Sequence, residues 1–113
     1  MSEIVWRPVP ESMQQANMTA FIRQVQREHP NAAVADYPSL YRWSIEHPER
    51  FWLELWEFCG VISSQRHEQV LEHPERMPGA KWFPEARLNY AENLLRRRDG
   101  GEAIVFRGEA MAR

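Results

Sequence analysis

His67 and His73 bracket the stretch His-Glu-Gln-Val-Leu-Glu-His, which offers two imidazoles and two carboxylates to a divalent metal. Zinc-protease chemistry needs its first two histidines four apart, on one face of a helix. Here they lie six apart, about 240° around a helix, so one helical face does not present both. Solvated turn histidines are the favoured reading. Glu-His-Pro recurs at 28–30, 46–48 and 72–74, and two copies extend to Glu-His-Pro-Glu-Arg at 46–50 and 72–76. The flanks differ completely, so the motif reads as punctuation at helix ends and turns rather than as an internal repeat. Cys59 is a nucleophile by type, but it falls on the apolar stripe 52, 55, 56, 59, where a thiol is expected to be inert core. A single cysteine also excludes an internal disulfide and a cysteine zinc cluster.

Phosphate chemistry finds no cradle. Gly60, Gly79, Gly100, Gly101 and Gly108 form no glycine-rich loop leading into a helix with Lys and Ser or Thr. Arg96, Arg97 and Arg98 could meet a phosphate bound to a larger protein, yet their place in the last turn of a helix favours complementation of its dipole. Trp43, Trp52 and Trp56 could form a stacking platform, but they sit at helical spacing with other apolar residues and read as core. Trp6 and the pair Trp82-Phe83 lie outside every helical stripe and are better candidates for an interface. No residue is assigned a catalytic, cofactor-binding or metal-ligating role.

Composition narrows the partners. A net charge of −2 and a pI near 6.1 argue against nucleic acid, whose recognition needs surplus base, and against a polybasic membrane anchor. No window approaches 18 apolar residues, so no transmembrane helix is expected. The first 12 residues lack the apolar stretch of a signal peptide. A cytoplasmic protein is the expectation.

The elements that would position these residues are mainly helical. Met18, Phe21, Ile22 and Val25 follow helical spacing, predicting a first helix from Pro10 or Glu11 to Glu28, ended by Pro30. Pro38 opens a second helix that stops at His47. Pro48 starts a third, with Gly60 as its C-terminal stop. The expected helical core is Phe21, Trp43, Trp52, Leu55 and Trp56. Residues 60–87 read as a loop-rich connector, with a weak strand candidate near Val70. A fourth helix is expected over about Asn89–Arg98, followed by a strand at Ala103–Phe106. A lone strand leaves its backbone unpaired, so a sheet would be starting there.

Four stretches carry a family resemblance: Trp6-Arg7-Pro8; Asn17-Met18-Thr19-Ala20-Phe21; Leu40 to Trp52, running on to Trp56-Glu57-Phe58-Cys59-Gly60-Val61; and Pro78 to Leu95, which includes Lys81-Trp82-Phe83-Pro84-Glu85-Ala86-Arg87 and Leu88-Asn89-Tyr90-Ala91-Glu92-Asn93-Leu94-Leu95. Over about residues 6–109 the chain resembles the N-terminal segment of acetoacetyl-CoA synthetases (acetoacetate–CoA ligases), relatives of acetyl-CoA synthetase in the adenylate-forming superfamily. One departure is Glu85, where the family is expected to have Gly; a residue with a Cβ there would resist any positive φ.

The resemblance implies a fold and a function. Residues 1–87 would form the N-terminal helical cap with its connector, and residues 88–113 would begin the α/β adenylate-forming domain, cut short. In the complete enzyme a carboxylate attacks ATP, with Mg²⁺, to give an acyl-adenylate and pyrophosphate, and the CoA thiol then displaces AMP. The family's ATP loop, nucleotide-binding acids and C-terminal catalytic lysine have no matching position here; Lys81, the single lysine, stands in the connector. The partner implied is the remainder of the ligase chain. Trp82, Phe83, Leu88, Tyr90 and Leu94 are the expected docking seam, since no local stripe buries them. The alternative is a free-standing helical interaction module that binds another protein through Trp6, Trp82 and Phe83.

Overall fold

The computed structural model describes residues 4–109. Five helices and one short hairpin follow in order: α1 (Pro10–Gln15), α2 (Asn17–Glu28), a 3-10 turn at Pro30–Ala32, α3 (Tyr37–Glu46), α4 (Pro48–Cys59), β1 (Leu71–Glu72), β2 (Lys81–Trp82) and α5 (Tyr90–Leu94).

The continuous first helix expected over 10–28 is two helices. Ala16 takes an extended backbone (φ −66°, ψ 143°) and its N–H turns back to the Met13 carbonyl. The Thr19 hydroxyl donates to that same carbonyl, which satisfies the end of α1 from outside. α3 begins one residue before Pro38, because Asp36 caps it. The Asp36 carboxylate accepts from Ser39 N–H at 3.0 Å, and Ser39 Oγ accepts from Asp36 N–H at 3.0 Å. This reciprocal box satisfies two otherwise orphan donors. α4 runs from Pro48 to Cys59, and Gly60 closes it in the left-handed region at φ 57°, where glycine has no Cβ to clash.

The Glu-His-Pro copies divide by structure. His29 and His47 adopt nearly the same backbone (φ −131°, ψ 65° and 60°), each ending one helix while the next proline opens another turn. His73 instead has φ 54° and sits in the hairpin region. The first two copies are helix corners, and Trp43 lies between their rings, 5.1 Å from His29 and 6.5 Å from His47.

α2, α3 and α4 pack around Phe21, Val25, Val34, Leu40 and Trp43, with Phe51, Leu55 and Phe58 partly buried against them. Phe21 meets Phe51 and Phe58 edge-on at 5.8 and 5.2 Å, a favoured aromatic geometry. Trp52 departs from expectation. It is 39% exposed and turned toward the hairpin, with its ring 5.3 Å from Trp82. Trp56 is half-buried and also faces the connector rather than the α2–α3 core. Cys59 is exposed rather than part of a buried stripe. The apolar stripe of α4 serves two neighbours, with Phe51, Leu55 and Phe58 toward the helices and Trp52 and Trp56 toward the connector. Spacing alone does not separate those two faces.

The connector holds a short antiparallel hairpin, Leu71 opposite Trp82 and Glu72 opposite Lys81. An isolated bridge joins Gln65 to Arg87. The stretch 103–106, expected as a strand, has no strand pairing; Ile104, Val105 and Phe106 are 78%, 77% and 82% exposed. Among the described residues the paired strands are therefore in the connector, near the weak candidate at Val70. α5 is also shorter than the helix expected to reach Arg98. The radius of gyration is 18.7 Å, against about 13 Å for a compact chain of this length. Only six apolar residues are buried among those described, so the small helical core carries long, poorly covered extensions.

Candidate functional site

The chemistry-bearing residues are dispersed. Among the described residues no group of three or more His, Cys, Asp or Glu could hold a metal ion. His73 lies near Glu72 and Glu75, each 3.5 Å away, in the exposed hairpin. His67 stands apart, enclosed by Trp56 at 5.0 Å and Phe83 at 4.8 Å. Lys81 ion-pairs with Glu72 at 3.4 Å across the hairpin, a structural position on a solvated edge. Among the described residues nothing forms a glycine-rich phosphate cradle.

Trp82 and Phe83 have partners within the chain. Phe83 packs 4.6 Å from Trp56, closing a three-ring cluster with His67, and its N–H donates to the Val70 carbonyl at 2.7 Å. It pays for this position with a left-handed backbone, φ 47°, costing on the order of 1–2 kcal/mol for a residue with a Cβ. That positive φ falls on Phe83 rather than on Glu85, the position compared with the family's glycine. Glu85 has no positive φ, and its carboxylate lies 3.5 Å from Gln69 N–H.

Leu88, Tyr90 and Leu94 are different. They are 49%, 76% and 62% exposed. The other side of α5 is fastened by polar groups. Asn89 caps α5, its side chain accepting from Glu92 N–H at 3.3 Å. Asn93 Oδ1 accepts from Ile62 N–H at 2.8 Å, and Asn93 Nδ2 donates to the Ile62 carbonyl at 2.8 Å. Arg96 Nη1 donates to the Cys59 and Gly60 carbonyls at 2.9 and 2.8 Å. Arg96 therefore complements the C-terminal end of α4 as well as that of its own helix, where its Nε donates to the Asn93 carbonyl at 3.0 Å. Arg97 pairs locally with Asp99 at 2.8 Å. The amide of Asn93 mimics a strand partner for Ile62, a role with no sequence signature.

The helical core is held by a second polar group. Glu54 accepts from Gln24 Nε2 at 3.0 Å and pairs with His29 Nε2 at 3.0 Å, linking α4 to the C-terminal half of α2 and to its C-cap. The Asp36 carboxyl is held below the usual carboxylate range, first by the Ser39 hydroxyl and then by the Ser39 N–H.

Residues 37–94 match the family described as acetyl-coenzyme A synthetase N-terminus. An acetoacetyl-coenzyme A synthetase of Rhizobium meliloti is 41% identical over 105 residues, covering 93% of this chain and 16% of that protein. A malonamoyl-CoA synthetase of Penicillium aethiopicum is 40% identical over 95 residues, covering 82% of this chain and 13% of that one. The solved structure of an acetoacetyl-CoA synthetase from Streptomyces lividans superimposes with a TM-score of 0.72 at 38% identity, covering 84% of this chain and 15% of that chain. The chain thus spans about a sixth or less of the length of these relatives. With more than half of its residues inside the family match and its fold superimposing on a solved relative, the chain belongs to the acetyl-coenzyme A synthetase N-terminus family.

Proposed function

We propose that this chain is the N-terminal portion of an acetoacetate–CoA ligase, structural rather than catalytic by itself. One observation carries the reading: a 41% identical acetoacetyl-coenzyme A synthetase matches 93% of this chain with 16% of its own length. In the complete enzyme, ATP, Mg²⁺ and CoA would be the reactants and cofactors, and the remainder of the ligase would be the partner. Residues 1–87 would be the helical cap with its connector, and residues 88–113 the start of the adenylate-forming part. A cytoplasmic location fits such an enzyme, and no helix among the described residues is long and apolar enough to cross a membrane.

Electrostatic stabilisation at the transferring phosphorus supplies most of the acceleration in such chemistry, and the described residues offer no group for it. The purified 113-residue chain should release no pyrophosphate from ATP and Mg²⁺ when acetoacetate is added. Acetoacetate-dependent release would refute the structural reading.

The second reading, a free-standing interaction module binding through Trp6, Trp82 and Phe83, keeps one observation in its favour: Trp6 is 76% exposed. Trp82 and Phe83 are already engaged with Trp52 and Trp56, which weakens it.

A further inference from the structure

We propose that α5 is an oriented docking element: Asn93 and Arg96 fasten it to the end of α4, so that Leu88, Tyr90 and Leu94 are presented to the remainder of a ligase polypeptide. This rests on the ligase reading above and names the surface through which the segment would meet the rest of the enzyme.

The fastening is polar and two-sided. Asn93 pairs with both backbone groups of Ile62. Arg96 bonds two carbonyls at the end of α4, and its Nε donates to the Asn93 carbonyl at 3.0 Å. Arg96 Nη2 also reaches Asn93 Oδ1 at 3.3 Å. These bonds fix both the position and the rotation of a helix only five residues long, which would not be stable alone. Hydrogen bonds exposed to water add little net stability, whereas they are directional and set an orientation. Meanwhile the apolar residues of α5 contribute almost nothing to the core of this chain. An apolar helix face held outward by a polar clip is arranged for a contact the chain does not itself supply.

The occupant follows from size and continuity. The relatives are several times longer than this chain, which covers 13–16% of them. The exposed apolar run continues from Leu88 through Leu95 to Ile104, Val105 and Phe106, along the stretch that leaves the helical core. Exposed apolar groups clustered in this way along one segment are characteristic of an interaction surface. Two of the nearby cations are turned to the chain itself, Arg97 to Asp99 and Arg96 to backbone carbonyls, so the face around Leu88, Tyr90 and Leu94 offers its partner chiefly apolar surface, with Glu92 and Arg98 at its rim. The outward stripe of α3, Tyr37, Tyr41 and Ile45, is similarly exposed but belongs to a different element without the polar clip, and it serves as a control.

The test titrates the 113-residue chain into Rhizobium meliloti acetoacetyl-coenzyme A synthetase lacking its matched segment, with that enzyme's own segment as reference, read by calorimetry. Both segments should bind. Tyr90→Asp and Leu94→Asp should each weaken binding at least tenfold with unchanged far-UV circular dichroism. Asn93→Ala should weaken it several-fold, with Asn93→Asp, which keeps the acceptor for Ile62 N–H, weaker in effect. Tyr41→Asp should stay within twofold. Undiminished binding by Tyr90→Asp and Leu94→Asp overturns the surface while leaving the ligase reading intact. Undiminished binding by Asn93→Ala overturns the role of the clip. Binding by the reference segment but not by this chain overturns the ligase reading, and binding by neither overturns the docking surface. Self-association of this chain that Leu94→Asp abolishes would make a second copy the occupant, against the proposal.

Discussion

Replacing Trp43 and Trp52 separately by alanine distinguishes two kinds of tryptophan that look alike in sequence. Trp43 is 4% exposed and Trp52 39% exposed. A tryptophan side chain buries roughly 200 Å², and apolar burial stabilises by about 25 cal/mol per Å². Removing a nearly fully buried ring therefore costs about 4–5 kcal/mol, within the usual range for large-to-small core changes. At Trp52 about three-fifths of that surface is covered, and the space left by truncation opens to water instead of forming a cavity, so the loss is limited to the area term, about 3 kcal/mol. Much of that resides in the contact with Trp82, 5.3 Å away, and a double-mutant cycle with Trp82→Ala should show a coupling of about 0.5–1.5 kcal/mol. Urea unfolding followed by far-UV circular dichroism gives both values without relying on tryptophan fluorescence. Native domains are stable by only about 5–15 kcal/mol, so the Trp43 variant should be largely unfolded or nearly so, while the Trp52 variant retains a cooperative transition. If Trp52→Ala costs as much as Trp43→Ala, the division of the α4 stripe into two faces is wrong.

Three further changes test separate contacts. Asp36 has a folded-state pKa below its unfolded value, so its contribution is present above the unfolded value near 3.8 and is lost as pH falls through the folded one; acid titration of helicity should show this loss, and Asp36→Ala should remove that pH dependence. Glu54→Ala leaves the Gln24 and His29 donors without their shared acceptor, and chemical denaturation should register a loss of about 1–3 kcal/mol. Gly60→Ala forces a Cβ into a backbone at φ 57° and should cost about 1–2 kcal/mol, even though the added atom would meet only Arg96 Nη1 at 3.4 Å; a neutral result would mean the end of α4 relaxes freely.

The helices were legible where local chemistry marks them. Pro48 and Gly60 bound α4 because proline suits the first turn and glycine the left-handed exit. The spacing of Phe21 and Val25 placed them on the inner face of α2, since a 3.6-residue period is a property of the chain itself. The break at Ala16 carries no proline or glycine; it depends on the Thr19 hydroxyl reaching the Met13 carbonyl. Tertiary structure alone decided that Trp52 and Trp56 face the connector, because periodicity states which residues share a stripe but not what lies opposite it. It likewise decided that Arg96 serves α4 as well as α5, since the Cys59 and Gly60 carbonyls are 37 and 36 residues away in sequence. The strand expected at 103–106 failed for the same reason. Its residue types favour an extended chain, but a strand exists only when another backbone lies beside it, and among the described residues none does.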